Sequence, residues 1–126
     1  MTGDDPFSFP HTPADIRLRR AEKVLEITFD DGSCFSFPAE FLRVHSPSAE
    51  VQGHSPEERQ FVAGRRHVGI LGLELVGQYG IRIDFDDLHD TGIYSWRILY
   101  DFGLRQKSLW AHYLKEMEEL GLSRDP

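Results

Sequence analysis

Cysteine is almost missing from this chain: Cys34 is the sole one among 126 residues. A single thiol closes no internal disulfide and cannot build a cysteine-based zinc site. Long apolar runs are also missing. No stretch approaches the roughly 20 residues that a membrane-spanning helix needs, so no bilayer segment is expected. Positive charge is scarce, with 14 Lys and Arg against 21 Asp and Glu and a formal net charge of −7. Binding a phosphate backbone rests on many cations displacing counterions, so nucleic acid is not an expected partner. Two small basic groups, Arg17/Arg19/Arg20 and Arg65/Arg66, read as solvated charges at element ends. The opening MTGDDPFSFPHTPAD carries acid and proline but no basic, apolar-cored leader, which reads as a loose tail on a cytosolic protein.

Catalytic signatures are missing as well. The two-His, one-carboxylate facial triad of non-haem iron oxygenases usually enters through His-x-Asp, and no His here is followed two places later by Asp or Glu. The sequence holds no G-x-S-x-G, no P-loop and no G-x-G-x-x-G. An enzyme is therefore not the expected reading.

What remains is one ordinary domain's worth of chain, 40% hydrophobic and 28% charged, enough for a single core. Apolar alternation between Asp15 and Phe37 predicts three strands, with one slip at the adjacent Val24 and Leu25. Asp31-Gly32 marks the hairpin between the second and third. Pro38 stops the pairing and AEFLR makes one helical turn. Ser55, Pro56 and Glu58 read as a capping box that opens a helix with Phe61 and Val62 on its apolar face, ended by Gly64. Val68–Val76 and Ile81–Phe85 predict an antiparallel pair. YSWRILYDF predicts a short helix closed by Gly103, and Leu109 to Leu120 recur at helical spacing up to Gly121. Hairpins with helices between and after them indicate an α+β fold. The expected core is Ile16, Leu18, Val24, Leu25, Ile27, Phe29, Phe35, Phe37, Ile70, Leu73, Leu75, Ile81, Ile83, Phe85 and Trp96. A weak echo links ITFDDGSCFSFPAEFLR (27–43) to IDFDDLHDTGIYSWRIL (83–99): strand, Phe-Asp-Asp, turn, aromatic, short helix.

Chemistry-bearing residues crowd into residues 83–96. Asp84, Asp86, Asp87, Asp90 and His89 offer oxygen and imidazole ligands, and His45 and His54 lie in a loop that can fold nearby. A divalent metal on His89 and Asp86 is one reading. Strand alternation opposes it by sending Asp84 and Asp86 to one face and Asp87 towards the other, and no EF-hand spacing is present. The other reading is architectural: the aspartates accept backbone N–H bonds in an Asx-type turn and lead into the helix. Tyr94, Trp96 and Arg43 are candidate interaction residues, because aromatics and Arg dominate interface energies.

L-R-x-x-S-P at 42–47 and F-D-D-x-H-x-T-G-I-Y-S-W at 85–96 resemble the gamma-butyrobetaine hydroxylase N-terminal-like family, a former domain of unknown function. The chain looks like a stand-alone bacterial member, with the similarity spanning about 14–103. That leaves a tail over 1–13 and a C-terminal helix and tail over 104–126. Relatives of this type are small bacterial proteins, N-terminal domains of carnitine-pathway 2-oxoglutarate dioxygenases, and appendages on P-loop iron–sulfur scaffold proteins. The resemblance implies a structural zinc held by three clustered Cys and a later His. The His falls on His89, but the Cys positions fall on Ser46, Ser48 and Val51, so that site is not carried over. The family's Gly before the His is Leu88 here. The dioxygenase iron site belongs to a catalytic domain that this sequence does not contain. The resemblance thus implies a non-catalytic protein-binding or accessory module with an unidentified protein partner, linked to iron–sulfur or 2-oxoglutarate oxygenase metabolism, without a cofactor. A metal protein using His89 and nearby carboxylates is the alternative, and a homodimer is the oligomer to test.

Overall fold

The structure, a computed structural model, describes residues 9–53 and 55–126. Two antiparallel three-stranded meanders share one core. The first contains β1 (Pro13–Arg19), β2 (Val24–Phe29) and β3 (Cys34–Pro38), in spatial order β1-β2-β3. Two short helices follow, α1 (Ala39–Val44) and α2 (Ala49–Gln52). The second meander contains β4 (Ile70–Val76), β5 (Gly80–Phe85) and β6 (Ile93–Ser95), in order β4-β5-β6, and leads into the long helix α3 (Trp96–Glu119). The fold is α+β. No helix of the described residues is long and apolar enough to cross a membrane.

The two halves repeat one device, as the echo in the sequence suggested. Each central strand ends in Phe-Asp-Asp. Phe29 N–H bonds to Ser33 O (2.8 Å) and Phe85 N–H to His89 O (3.0 Å). Asp31 accepts from Ser33 N–H (2.9 Å) and Asp87 from His89 N–H (3.2 Å), an Asx turn in both cases. The residue between is left-handed in both, Gly32 at φ 87° and Leu88 at φ 72°. The first helical residue after each meander then ties back to the strand 1–2 turn, through Ala39 N–H to Lys23 O and Trp96 N–H to Tyr79 O, both 2.8 Å. The acidic turn is therefore a folding element used twice. Leu88 adopts this left-handed backbone without being a glycine; its side chain is 85% exposed, and the strain on its Cβ is held by the bonds of the turn.

Pairing Ile16 with Ile27 and Leu18 with Leu25 puts these residues on one sheet face, while Val24 pairs with Arg19 on the other. Leu25, Ile27, Phe29 and Phe37 of the first meander meet Ile70, Ile81, Ile83, Phe85 and Trp96 of the second in one buried cluster. Ile16, Leu18, Phe35 and Leu73 pack against it half-buried. Leu75 is a correction: it is 68% exposed. It pairs with the buried Ile81, but from edge strand β4, next to the β4–β5 hairpin.

Two helix expectations change. Gly103 ends nothing; α3 runs through it for 24 residues. A Cβ on Gly103 would lie 2.3–2.4 Å from the Phe35 ring, so the glycine is there for close packing and not as a stop. Gly121, at φ 67°, follows the helix end as expected, with Leu122 N–H bonded to Met117 O. The helix expected from Ser55 to Gly64 is only a 3-10 turn, Pro56–Glu58. Phe61 and Val62 are recruited by α3 instead: Phe61 stacks on Tyr113 (5.1 Å, 7°) and Tyr113 donates to Val62 O (2.7 Å). Of the expected tail over 1–13, residues 1–8 lie outside the described residues; Phe9 and His11 pack on Tyr100.

Candidate functional site

The two segments that carry the sequence motifs dock on one another. From the first, α1 and the chain after it supply Leu42, Arg43, Ser46 and Ser48; from the second, the β5–β6 connection and β6 supply Asp87, His89, Thr91, Gly92 and Tyr94. Their polar groups meet around a buried centre of Arg43, Ser46, Ser48, His89 and Tyr94, with Asp87 and Thr91 at its exposed rim.

His89 sits at the centre, 6% exposed. Its Nε2 lies 2.9 Å from Ser46 Oγ and its Nδ1 3.3 Å from Glu50 Oε2. Carboxylates only accept, so Nδ1 carries the proton and the Ser46 hydroxyl donates to Nε2. Ser46 Oγ in turn accepts from Ser48 N–H (3.2 Å), and the Ser48 and Thr91 hydroxyls share a 2.5 Å bond. Burial, then the Arg43 charge, holds the His89 imidazole below its ordinary pKa against the pull of Glu50 and Asp87.

Asp87 joins two cations. Arg43 Nε donates to Oδ2 at 2.7 Å and Arg65 Nε to the same oxygen at 2.8 Å. Burial would raise this carboxyl, but the bonds from Arg43 and His89 N–H, with both guanidinium charges, keep it below the usual carboxylate range. Arg43 is itself 7% exposed, and its Nη1 has no partner among the described residues.

The other motif residues are accounted for in the same way. Tyr94 is wholly buried and donates to Leu42 O (2.5 Å); burial raises its phenol pKa well above the ordinary value. Trp96 Nε1 donates to Gln78 O (2.9 Å), and Ser95 caps α3 by accepting from Ile98 N–H (3.1 Å). A Cβ on Gly92 would lie 2.5 Å from Ser46 Oγ, so this position admits only glycine if Ser46 is to reach His89. Tyr94, Trp96 and Arg43 thus make their contacts inside the chain, with Trp96 7% exposed.

Asp86 is exposed and is not brought to His89. Its backbone N–H bonds to Gly69 O (2.9 Å) and its carboxylate lies over Gly69. His45 is turned the other way, with Nδ1 on Phe41 O (2.9 Å); His54 lies outside the described residues. Among the described residues, the group whose ligand atoms all lie within 4.8 Å is His11, Asp30 and Asp31, which sequence reading did not single out. Its atoms are already engaged: His11 Nδ1 with Asp30 Oδ1 (3.1 Å), and Asp31 with the Tyr100 hydroxyl (2.6 Å). The Tyr100 and Ser33 bonds bring the Asp31 carboxyl down to about 2.

The family's zinc does not fit these residues. Structural zinc favours four thiolate or imidazole ligands. Here the three Cys positions hold two hydroxyls and the buried Val51, and the His89 nitrogen facing them already accepts from Ser46. Ser46–His89–Glu50 has the order of a nucleophile, base and orienting acid. It cannot act as one in this arrangement: Ser46 is 0% exposed and Gly92 packs directly against its Oγ, leaving no room for an acyl group. The array fastens two segments together.

A family model described as "Gamma-butyrobetaine hydroxylase-like, N-terminal" matches residues 16–100. A comparison with curated proteins found no match. Two proteins solved in solution by NMR are similar along nearly their whole length. One is 45% identical, with 92% of this chain and 91% of that one covered and a TM-score of 0.80. The other is 40% identical, with 100% and 92% covered and a TM-score of 0.82. A crystal structure of a protein of unknown function from Acidithiobacillus ferrooxidans, assigned to the DUF971 family, is 33% identical over 69% of this chain and 86% of that one, with a TM-score of 0.58.

Proposed function

The chain belongs to the gamma-butyrobetaine hydroxylase-like, N-terminal family, and from that footing we propose that it is a non-catalytic protein-binding or accessory module. The observation that carries the proposal is the use of its polar groups: Ser46, His89, Asp87, Arg43 and Tyr94 bond to one another or to backbone inside the fold. The surface available to a partner is apolar and lies elsewhere. Leu71 and Leu75 on edge strand β4 are 57% and 68% exposed, on a strand whose outer edge pairs with no other strand, with Leu71 O taken by Arg20 Nε at 3.1 Å. Such an edge accepts an added strand, and exposed leucines supply the apolar anchors. The partner class proposed is a protein of iron–sulfur or 2-oxoglutarate oxygenase metabolism, in the cytoplasm.

The test is photo-crosslinking from position 75 in cells, followed by mass spectrometry, with Leu71→Lys/Leu75→Lys as the control. One reproducible partner lost in the double variant supports the proposal; crosslinks only between two copies of this chain support a homodimer; none at all defeats it.

Glu50 supports a second reading. Its carboxylate is 62% exposed and faces His89 Nδ1, a nitrogen–oxygen pair open to solvent on one side. A divalent ion there, on His89 and a nearby carboxylate, would have to displace the Nδ1 proton. Added Zn²⁺ or Ni²⁺ would then raise the melting temperature of the wild type and not of His89→Ala. A flat response in both leaves the module reading alone.

A further inference from the structure

A cavity of about 420 Å³ opens between the end of α1, the 59–62 segment and α3, separate from the Ser46–His89 array. Its walls are aromatic: Phe61 stacked on Tyr113, and Phe102 edge-on to His45 at 6.0 Å. Its polar groups include one fixed cation, Arg59, beside two imidazoles and Gln52. His45, Arg59 and His112 line it, with Glu116 as the opposing acid, in a chain where acids outnumber bases 21 to 14. Arg59 is fixed over the opening by a 2.6 Å bond to Glu116 and remains 44% exposed.

His45 has no role in the array described above. Its Nδ1 lies 2.9 Å from Phe41 O, so that nitrogen carries the proton and Nε2 is left as an acceptor. Burial lowers the pKa of this ring; the bond to Phe41 O opposes the shift, and the nearby charges of Arg59, His112 and Arg105 add to it. An uncharged ring among aromatic walls and a guanidinium beside them are complementary to one kind of molecule. We propose that this cavity binds a small organic acid with an apolar, ring-sized body, its carboxylate on Arg59 and its body against Phe102 and the stacked Phe61–Tyr113 pair.

The volume lies within the range of small-molecule sites, which are mostly apolar with a few placed polar groups. Arg59 is shared with Glu116, so Glu116 competes with the ligand's carboxylate. That competition gives the proposal a signature that general stickiness lacks: removing the acid should tighten binding and removing the base should weaken it.

The experiment is a ¹⁵N-detected NMR titration of the full chain with 2-naphthoate, 2-naphthamide and 2-naphthylmethylammonium. For a ligand of this size, a dissociation constant on the order of 1 mM is expected. Saturable shifts at residues 45, 61, 102 and 113 are expected with naphthoate, about fivefold weaker in Arg59→Gln and stronger in Glu116→Gln. Both positions are at the mouth, so both variants should fold, which the unliganded spectrum checks directly. The proposal is overturned if naphthoate gives no saturable shift, if the amide or the ammonium probe binds as tightly, or if Arg59→Gln binds it unchanged.

Discussion

Replacing His89 by Ala tests whether the array at the centre of the fold is architecture. The residue is 6% exposed and its Nε2 accepts the Ser46 hydroxyl at 2.9 Å, while Ser46 is 0% exposed. Losing that bond costs about 0.5–1.5 kcal/mol net. Removing a buried ring adds a cavity term, about 1–2 kcal/mol for a ring smaller than Phe. The Glu50 contact adds little, because the carboxylate is 62% exposed and screened. His89→Ala should therefore lose about 1.5–3.5 kcal/mol. That exceeds what a turn hydrogen bond alone would cost, because the ring is buried. Urea unfolding at pH 7.5, followed by circular dichroism, measures it. A cycle with Ser46→Ala should return a coupling of about 1 kcal/mol, and Glu50→Ala should cost less than about 0.5 kcal/mol. A loss below about 0.5 kcal/mol in His89→Ala, or a Glu50→Ala loss as large as it, would refute the reasoning.

Other outcomes follow from the same geometry. Gly103→Ala should destabilise by about 1–3 kcal/mol through the Phe35 ring, although helix propensity alone says it should stabilise by about 1 kcal/mol; a stabilised variant in thermal melts would show that the ring has room. Leu88→Gly should stabilise by about 0.5–1 kcal/mol, since the left-handed backbone costs a β-carbon about 1–2 kcal/mol and the exposed side chain packs on nothing; a loss in the same assay would count against the strain. The His45 and His89 pKa values are lowered from 6.5 in the folded chain, so the unfolded chain binds more protons just below that pH. Their contribution is fully present above 6.5 and is lost as the pH falls through the folded values. Urea midpoints should therefore drop as pH is lowered from about 6.5, less steeply in His89→Gln, and a slope unchanged in that variant would clear His89 of the effect.

Local pattern alone fixed several features. Period-two alternation with Asp31-Gly32 placed β1 to β3, because pleat and turn chemistry are both properties of neighbouring residues. The duplicated Phe-Asp-Asp turn was legible for the same reason: an Asx bond reaches two residues along the chain. Gly121 ended α3 as read, since its left-handed backbone is a local demand. The motifs at 42–47 and 85–96 marked the family and the residues of the central array, though not what joins them.

Tertiary structure decided the rest. Gly103 looks like a helix stop in sequence, and only the Phe35 ring beneath it turns it into a packing glycine. Leu75 reads as core by alternation, but an edge position next to a hairpin leaves it in water. The capping box at Ser55 yielded a single 3-10 turn because Tyr113, some fifty residues on, takes both Phe61 and the Val62 carbonyl. Ser46 and His89 are 43 residues apart, and their bond exists only because the two motif segments dock. Propensity and pattern describe what a residue does with its chain neighbours. Burial, close approach and the pairing of distant polar groups depend on which surfaces meet, and that is settled only when the two meanders close on one core.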